Sequence, residues 1–359
     1  MDLPSVKAVI TRYPFLGVCA NERGIDLRSC LRTILWWSVL PALVVLGSFL
    51  DSSWYLATGA VGLFRHYGFW AWVLTSPAIT LLVVCALVKF ISLMQTIERY
   101  SITNSVPREL EELIARHISS LSLQQRTRFV HILFVVIGLL FGVLNIRQTL
   151  DPVPIYGNIV YDSLPYWRGF ILSKIYLFGL WTVIYPAAIF ISLHLTWSLI
   201  VILRHMCNHE ILKIDFFNRD NCGGVSAFGA INALIMAIYA CIFVVIIALH
   251  ETHRHTYATL LLASISMFAI FALQSFGAVY YIHKFVSLKR DQELEVVNKR
   301  LALEVRNVVV EGGHISLDLI SLRTHMLSLN TYPYNKITLS IVNLIRLAPA
   351  AVALAKLLP

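Results

Sequence analysis

Apolar runs long enough to cross a bilayer recur along nearly the whole chain, separated by short polar stretches. A helix spans the hydrocarbon with about 20 residues. Against that length the pattern predicts spans near residues 33 to 50, 69 to 93, 129 to 146, 170 to 203, 225 to 249, 257 to 285 and 337 to 357. The fourth and sixth runs exceed the hydrocarbon thickness, so they are expected to tilt or to project beyond it. The fold class is all-α: a polytopic membrane protein of about seven transmembrane helices.

After the sixth span the pattern changes rather than stops. Leu294, Val297, Leu301, Val305 and Val308 recur at steps of three and four among Glu and Lys, which predicts an amphipathic stalk continuing span six. Gly312 and Gly313 end it, Ser316 or Asp318 starts a second amphipathic helix through Leu329, and Pro333 breaks that helix before the last span. These apolar stripes bury against each other or against copies of the chain; a hairpin lying on the bilayer surface is the alternative. Four segments follow: an N-terminal segment 1–32, a six-helix membrane region 33–285, a stalk with its amphipathic helix 286–335, and the last transmembrane helix 336–359.

Composition agrees, since 58% hydrophobic and 14% charged residues are more apolar than one soluble core of 359 residues can cover. No separate soluble catalytic domain is expected. Lys and Arg set the direction, because positively charged loops stay on the cytoplasmic side. Twenty-two of the 29 fall in the N-terminal segment and the loops after spans two, four and six; five fall on the other side (Arg65, Arg147, Arg168, Arg254, Lys356), and Lys174 and Arg346 lie inside spans. That predicts the N-terminus inside and the C-terminus outside. The formal charge of +9 is spread over several loops as topology requires, so nucleic acid is not expected as a partner. The first 28 residues lack a signal-peptide pattern. The six cysteines, at 19, 30, 85, 207, 222 and 241, are expected to be free thiols.

Several segments carry a resemblance. Asn218-Arg219-Asp220-Asn221-Cys222-Gly223-Gly224-Val225, followed by Gly229, resembles the cytoplasmic loop of an uncharacterised family of bacterial multi-pass membrane proteins, which reads His-Pro-Asp, two variable residues, then Gly-Gly-Leu. Here Asn218-Arg219 replaces His-Pro. That family's charged stalk resembles Lys289 to Arg306, its Trp-Pro-Phe-Asp before the last span resembles Tyr332-Pro333-Tyr334-Asn335, and the proline of its final helix matches Pro349. The resemblance implies a bacterial inner-membrane location. More remotely, the layout resembles insect odorant and gustatory receptors, which are tetrameric ligand-gated cation channels of reversed seven-span topology with a cytoplasmic anchor and a pore lined by the last span. Their Thr-Tyr signature is absent, Ala348-Pro349 standing in its place. This second likeness implies a homo-oligomer, a small-molecule ligand and a pore.

Candidate chemistry is sparse. Asp220, Gly223 and Gly224 at the start of span five suit either a helix cap with tight packing or an anion or ligand site. His205, Cys207, His209, Glu210, Asp215 and Cys222 are zinc-ligand types without a metal-binding frame, so a solvated helix end is expected and no metal or cofactor. His250 to His255 reads as a polar turn, with pH sensing as the alternative. Trp72, Tyr176, Trp181 and Tyr185 are candidates for an apolar ligand pocket, with core or lipid contact as the competing reading. On the last helix Leu339, Asn343, Arg346, Leu347 and Ala350 form one face that lines a pore if copies pack around an axis; a ring of Arg346 would oppose cations. No Asp or Glu lies centrally in any predicted span, which argues against an intramembrane enzyme, and no internal repeat points to a transporter. A homo-oligomeric channel or receptor-channel leads, with a non-conducting structural or assembly protein second. Reporter fusions after Met94, Asn218 and Asn307 should report cytoplasm and those after Asp151 and Pro359 the outside; reversal at two sites ends this topology.

Overall fold

The structure is a computed structural model that describes residues 27–50, 67–102, 105–121, 178–220, 222–253, 279–311 and 316–334, with isolated helical positions between 129 and 143, 265 and 277, and 340 and 347. Most of the predicted spans 129–146 and 337–357, and the first part of 257–285, lie outside the described residues. The described chain is helical: α1 Leu27–Leu50, α2 Tyr67–Gln95, α3 Arg108–Leu121, α4 Tyr185–Asn208, α5 Ser226–His253, α6 Tyr280–Glu311 and α7 Leu317–Ser328. A 3-10 turn, Ile97–Tyr100, follows α2, and a π-helical turn, Leu180–Ile184, runs directly into α4. Among the described residues there is no strand, only an isolated antiparallel bridge between Ser101 and Leu212.

Four stretches are long and apolar enough to cross a membrane: Cys30–Gly47, Trp70–Gln95, Tyr185–Asn208 and Ser226–Val245. The protein is thus a helical membrane protein with at least these four candidate spans. α2 and α5 share the most extensive interface. Val83, Leu87 and Phe90 of α2 recur at steps of four and three, as do Ile231, Ile235 and Ile238 of α5, and all are buried in one apolar cluster. Several hydroxyls inside it are satisfied by their own helices: Thr75, Thr80 and Thr196 each donate to the carbonyl four residues earlier, at 2.7–2.8 Å. That economy suits an interior where no water can take the bond. α1 packs on α2 and leaves Leu31, Leu35, Trp36, Val39 and Leu46 exposed, an outward face that lipid can cover.

The hydropathy pattern assigns no element to residues 94 to 128, yet α3 forms there. Its first turn holds Glu109 and Glu111, which favour the positive end of the helix dipole, and it buries Leu110, Ile114, Ile118 and Leu121 at steps of four, four and three. It packs along α4.

The stalk residues are helical in α6 and α7 folds back on them; of the predicted stripe Leu294 and Val297 are buried and Leu301 is half-buried, but Val305 is exposed, and Gly312 and Gly313 lie outside the described residues. Leu294 and Val297 are buried against Met326, with Phe216, Leu319 and Leu322 around them. Ser316 is the N-cap of α7, accepting from the Leu319 amide, while the Ser316 amide donates to Glu304 at 2.9 Å and ties the start of α7 to α6. Arg323 reaches Asn298 at 2.9 Å, and His325 donates from Nε2 to the Phe216 carbonyl at 2.8 Å while its ring stacks on Phe217. Three segments distant in sequence are thereby held together by one small apolar cluster. Leu294→Asp, which buries a charge among Val297, Met326 and Phe216, should release α7 and speed trypsin cleavage at Arg323, with the α2–α5 pair unchanged by hydrogen exchange.

Candidate functional site

The loop from Asp215 to Val225 is held by its own side chains. The Asp215 amide donates to the Gly223 carbonyl at 3.0 Å, closing the loop. Asp220 Oδ1 accepts from the amides of Cys222 (2.8 Å) and Gly224 (3.0 Å), and Oδ2 accepts from Ser226 at the first turn of α5 (3.2 Å). Backbone donors that would otherwise attract an external anion are therefore occupied by a built-in carboxylate. Gly223 and Gly224 lie at φ 71° and 84°, the left-handed region that glycine alone enters without strain. A Cβ on Gly223 would also stand 2.9 Å from Ile214 Cγ2.

Against this loop and the start of α5 lies the segment after α7. Pro333 presses its carbonyl onto Gly229, where any side chain would overlap that oxygen. Tyr334, 1% exposed, accepts at its hydroxyl from Asn232 Nδ2 at 2.6 Å. Its carbonyl accepts from Asn330 Nδ2 at 2.7 Å and from the Cys222 thiol at 3.3 Å. Tyr332 stacks on His283 of α6, ring centroids 4.2 Å apart. From the other side Tyr100 sets its ring edge-on to Phe228 at 5.3 Å, and its backbone pairs with the chain leaving α4, Lys213 donating to the Tyr100 carbonyl at 2.8 Å. Burial, and then the nearby Asp220 carboxylate, raise the Tyr100 phenol above its ordinary range.

This joint gathers two of the sequence segments that carry the resemblance, the Asn218–Val225 loop and Tyr332–Tyr334. Comparison with protein-family models, curated proteins and solved structures finds no match for the chain. Function must therefore be argued from the residues.

Burial, assisted by Asp220, pushes the Cys222 thiol up to about 12, which suits its role as a neutral hydrogen-bond donor to the Tyr334 carbonyl. The other zinc-ligand types point different ways. The rings of His205 and His209 lie 4.4 Å apart, Cys207 donates to the Tyr281 carbonyl, Glu210 pairs with Lys289 at 2.7 Å, and Asp215 caps Phe217. Among the described residues no three such side chains converge. Glu210 itself stands at φ 52°, and Ile211 and Glu210 donate back to Met206 and Cys207, closing α4 with the paired bonds usually set up by a glycine.

Of the pocket candidates, Trp72 (1% exposed) and Tyr185 (3%) are buried in the main apolar cluster. Trp181 lies in the π-helical turn with its side chain outside the described residues, and Tyr176 lies outside them altogether. On the last span Asn343 and Leu347 are helical and exposed and Val342 is buried; Leu339, Arg346 and Ala350 lie outside the described residues. Tyr100 and Asn330 were not singled out from the sequence, nor were His117, Ser120 and Ser198, which group here with His194, a polar residue inside the fourth predicted span. His117 was in principle legible, three residues beyond Ile114 on the inward stripe of an amphipathic helix.

Gly229→Ala should lower folded yield sharply by unseating Pro333, and Gly223→Val should do so through Ile214. Tyr334→Phe leaves the Asn232 amide without its acceptor and should cost about 1–3 kcal/mol in detergent unfolding, whereas His209→Ala, at an exposed position, should change little.

Proposed function

We propose that the chain is a non-enzymatic, seven-span protein of the cell membrane, N-terminus inside and C-terminus outside, that assembles into homo-oligomers and works as a channel or receptor-channel with the last span at the axis. The observation that supports this reading best is the joint at Gly229 and Asn232, which holds Tyr332–Tyr334, the residues just before the proposed last span, on α5, α6 and the Asp215–Val225 loop. A helix mounted at one end in this way has a rigid base and can present one face to neighbours. Ser340, Asn343 and Leu347 share such a face at steps of three and four and are exposed in the single chain, with Val342 buried on another. The meeting of two resemblance-bearing segments supports an architecture shared with the bacterial family, and the α6–α7 stalk supports the insect-receptor analogy. The small-molecule ligand is left to Trp72, Tyr176, Trp181 and Tyr185.

A non-conducting assembly role is favoured by a different observation, the local satisfaction of hydroxyls and loop amides, which leaves few polar groups to meet an ion. The two readings part at the last helix. If it lines a water-filled path, cysteines at Asn343 and Leu347 react with water-soluble thiol reagents in the intact membrane while cysteine at Leu344 does not, and Arg346→Ala raises cation passage by removing like charge. Equal protection at the three positions rejects the pore and leaves the assembly role.

A further inference from the structure

α3 reaches α4 through more than its apolar stripe. His117 Nδ1 meets Ser198 Oγ at 3.0 Å, and His194 Nε2 donates to the His117 carbonyl at 3.0 Å. Ser120 Oγ lies 2.9 Å from the same His194 nitrogen and donates its own proton to the His117 carbonyl at 2.8 Å. The two imidazoles stand 6.1 Å apart, and His194 also stacks on Phe190. Ser198 is fully buried, and Ile114, Ile118 and Leu121 around this group are 0% exposed.

The charged and titratable groups that act on His117 are His194 across the interface and Arg116 on its own helix; both disfavour a second positive charge. Glu109, more than two turns toward the start of α3, acts on His205 rather than on this pair. Among the described residues no carboxylate bears on His117, so a proton taken up there meets burial and like charge.

We propose that α3 is a proton-released latch, which clasps α4 while His117 and His194 are neutral and lets go when they are protonated. The geometry supplies the reason. With Nε2–H committed to the His117 carbonyl, a neutral His194 already fills its place in the interface, and a second proton would put a cation beside the His117 ring. Burial, His194 and Arg116 together lower the His117 pKa from 6.5 to about 4. A depressed histidine stabilises the docked state above the undocked pKa and loses that stabilisation as pH falls toward the docked one. The window therefore runs from about pH 6.5 down to 4.

The test is amide hydrogen exchange on the full chain in lipid nanodiscs at pH 7.5 and 5.0, corrected for intrinsic rates. Protection of the peptide covering 108–121 should fall on the order of tenfold or more at pH 5.0, while that of the α2–α5 pair holds. His117→Asn, which keeps a hydrogen-bonding group near the Nδ1 position but does not titrate, should stay protected at both pH values. If that variant does not accumulate, His194→Gln keeps a donor near the Nε2 position and should reduce the pH effect. Unchanged wild-type protection between the two pH values, or an undiminished fall in the variant, overturns the latch; loss of protection in α2–α5 as well would mean general acid unfolding and overturns it too.

Discussion

The seat of Pro333 on Gly229 is the contact on which the arrangement around it depends. Only a residue without a side chain allows a backbone carbonyl that close to a helix, so the position of Gly229 in α5 decides where the chain arriving from α7 must lie. Once Pro333 is seated, Tyr334 is carried to Asn232, its carbonyl to Cys222 and Asn330, and Tyr332 to His283. Each of these later bonds is ordinary, about 1 kcal/mol when made and more when one partner is stranded in the interior. Their value lies in acting together: two helices, α5 and α6, and the Asp215–Val225 loop agree on one place for Tyr332–Tyr334.

Much of the polar satisfaction is handled locally. Threonine hydroxyls in α2 and α4 return to their own helices, Asp220 takes the loop amides, and Cys222 is held neutral and used as a donor. A site for catalysis or metal binding needs the opposite, polar groups left convergent and incompletely satisfied until a substrate arrives. The Asp220 loop has a glycine pair and a helix start suited to an anion, but the anion is part of the chain.

Much of the helical plan was legible because it rests on single-sequence periodicity. The long apolar runs, the Leu294 and Val297 stripe, the Ser316 cap and the left-handed glycines each follow from a local rule. What could not be read locally was pairing. Nothing in Tyr332-Pro333-Tyr334 announces that its partner is more than a hundred residues earlier, and Glu210 closes α4 in a conformation that the absence of glycine conceals. α3 was overlooked because a 14-residue helix with negative mean hydropathy makes no mark on a scan for spans, although its stripe of Leu110, Ile114, Ile118 and Leu121 is clear at a period of 3.6.

α3 also bears on where the bilayer can lie. It exposes Arg108, Glu109, Glu112 and Arg116, and charged groups on a surface helix cannot face hydrocarbon without a cost of several kcal/mol. Yet α3 packs against α4 at the level of His194 and Ser198. From His194 to Asn208 is 14 residues, about 20 Å of helix. That length of α4 runs beside a charged helix, with α3 and α6 packed along it, even though its composition alone would suit a span and Trp197 on it stays exposed. The Asp220 loop holds the joint at Tyr334 through Cys222, and the Glu210–Lys289 pair ties the end of α4 to α6 beside it.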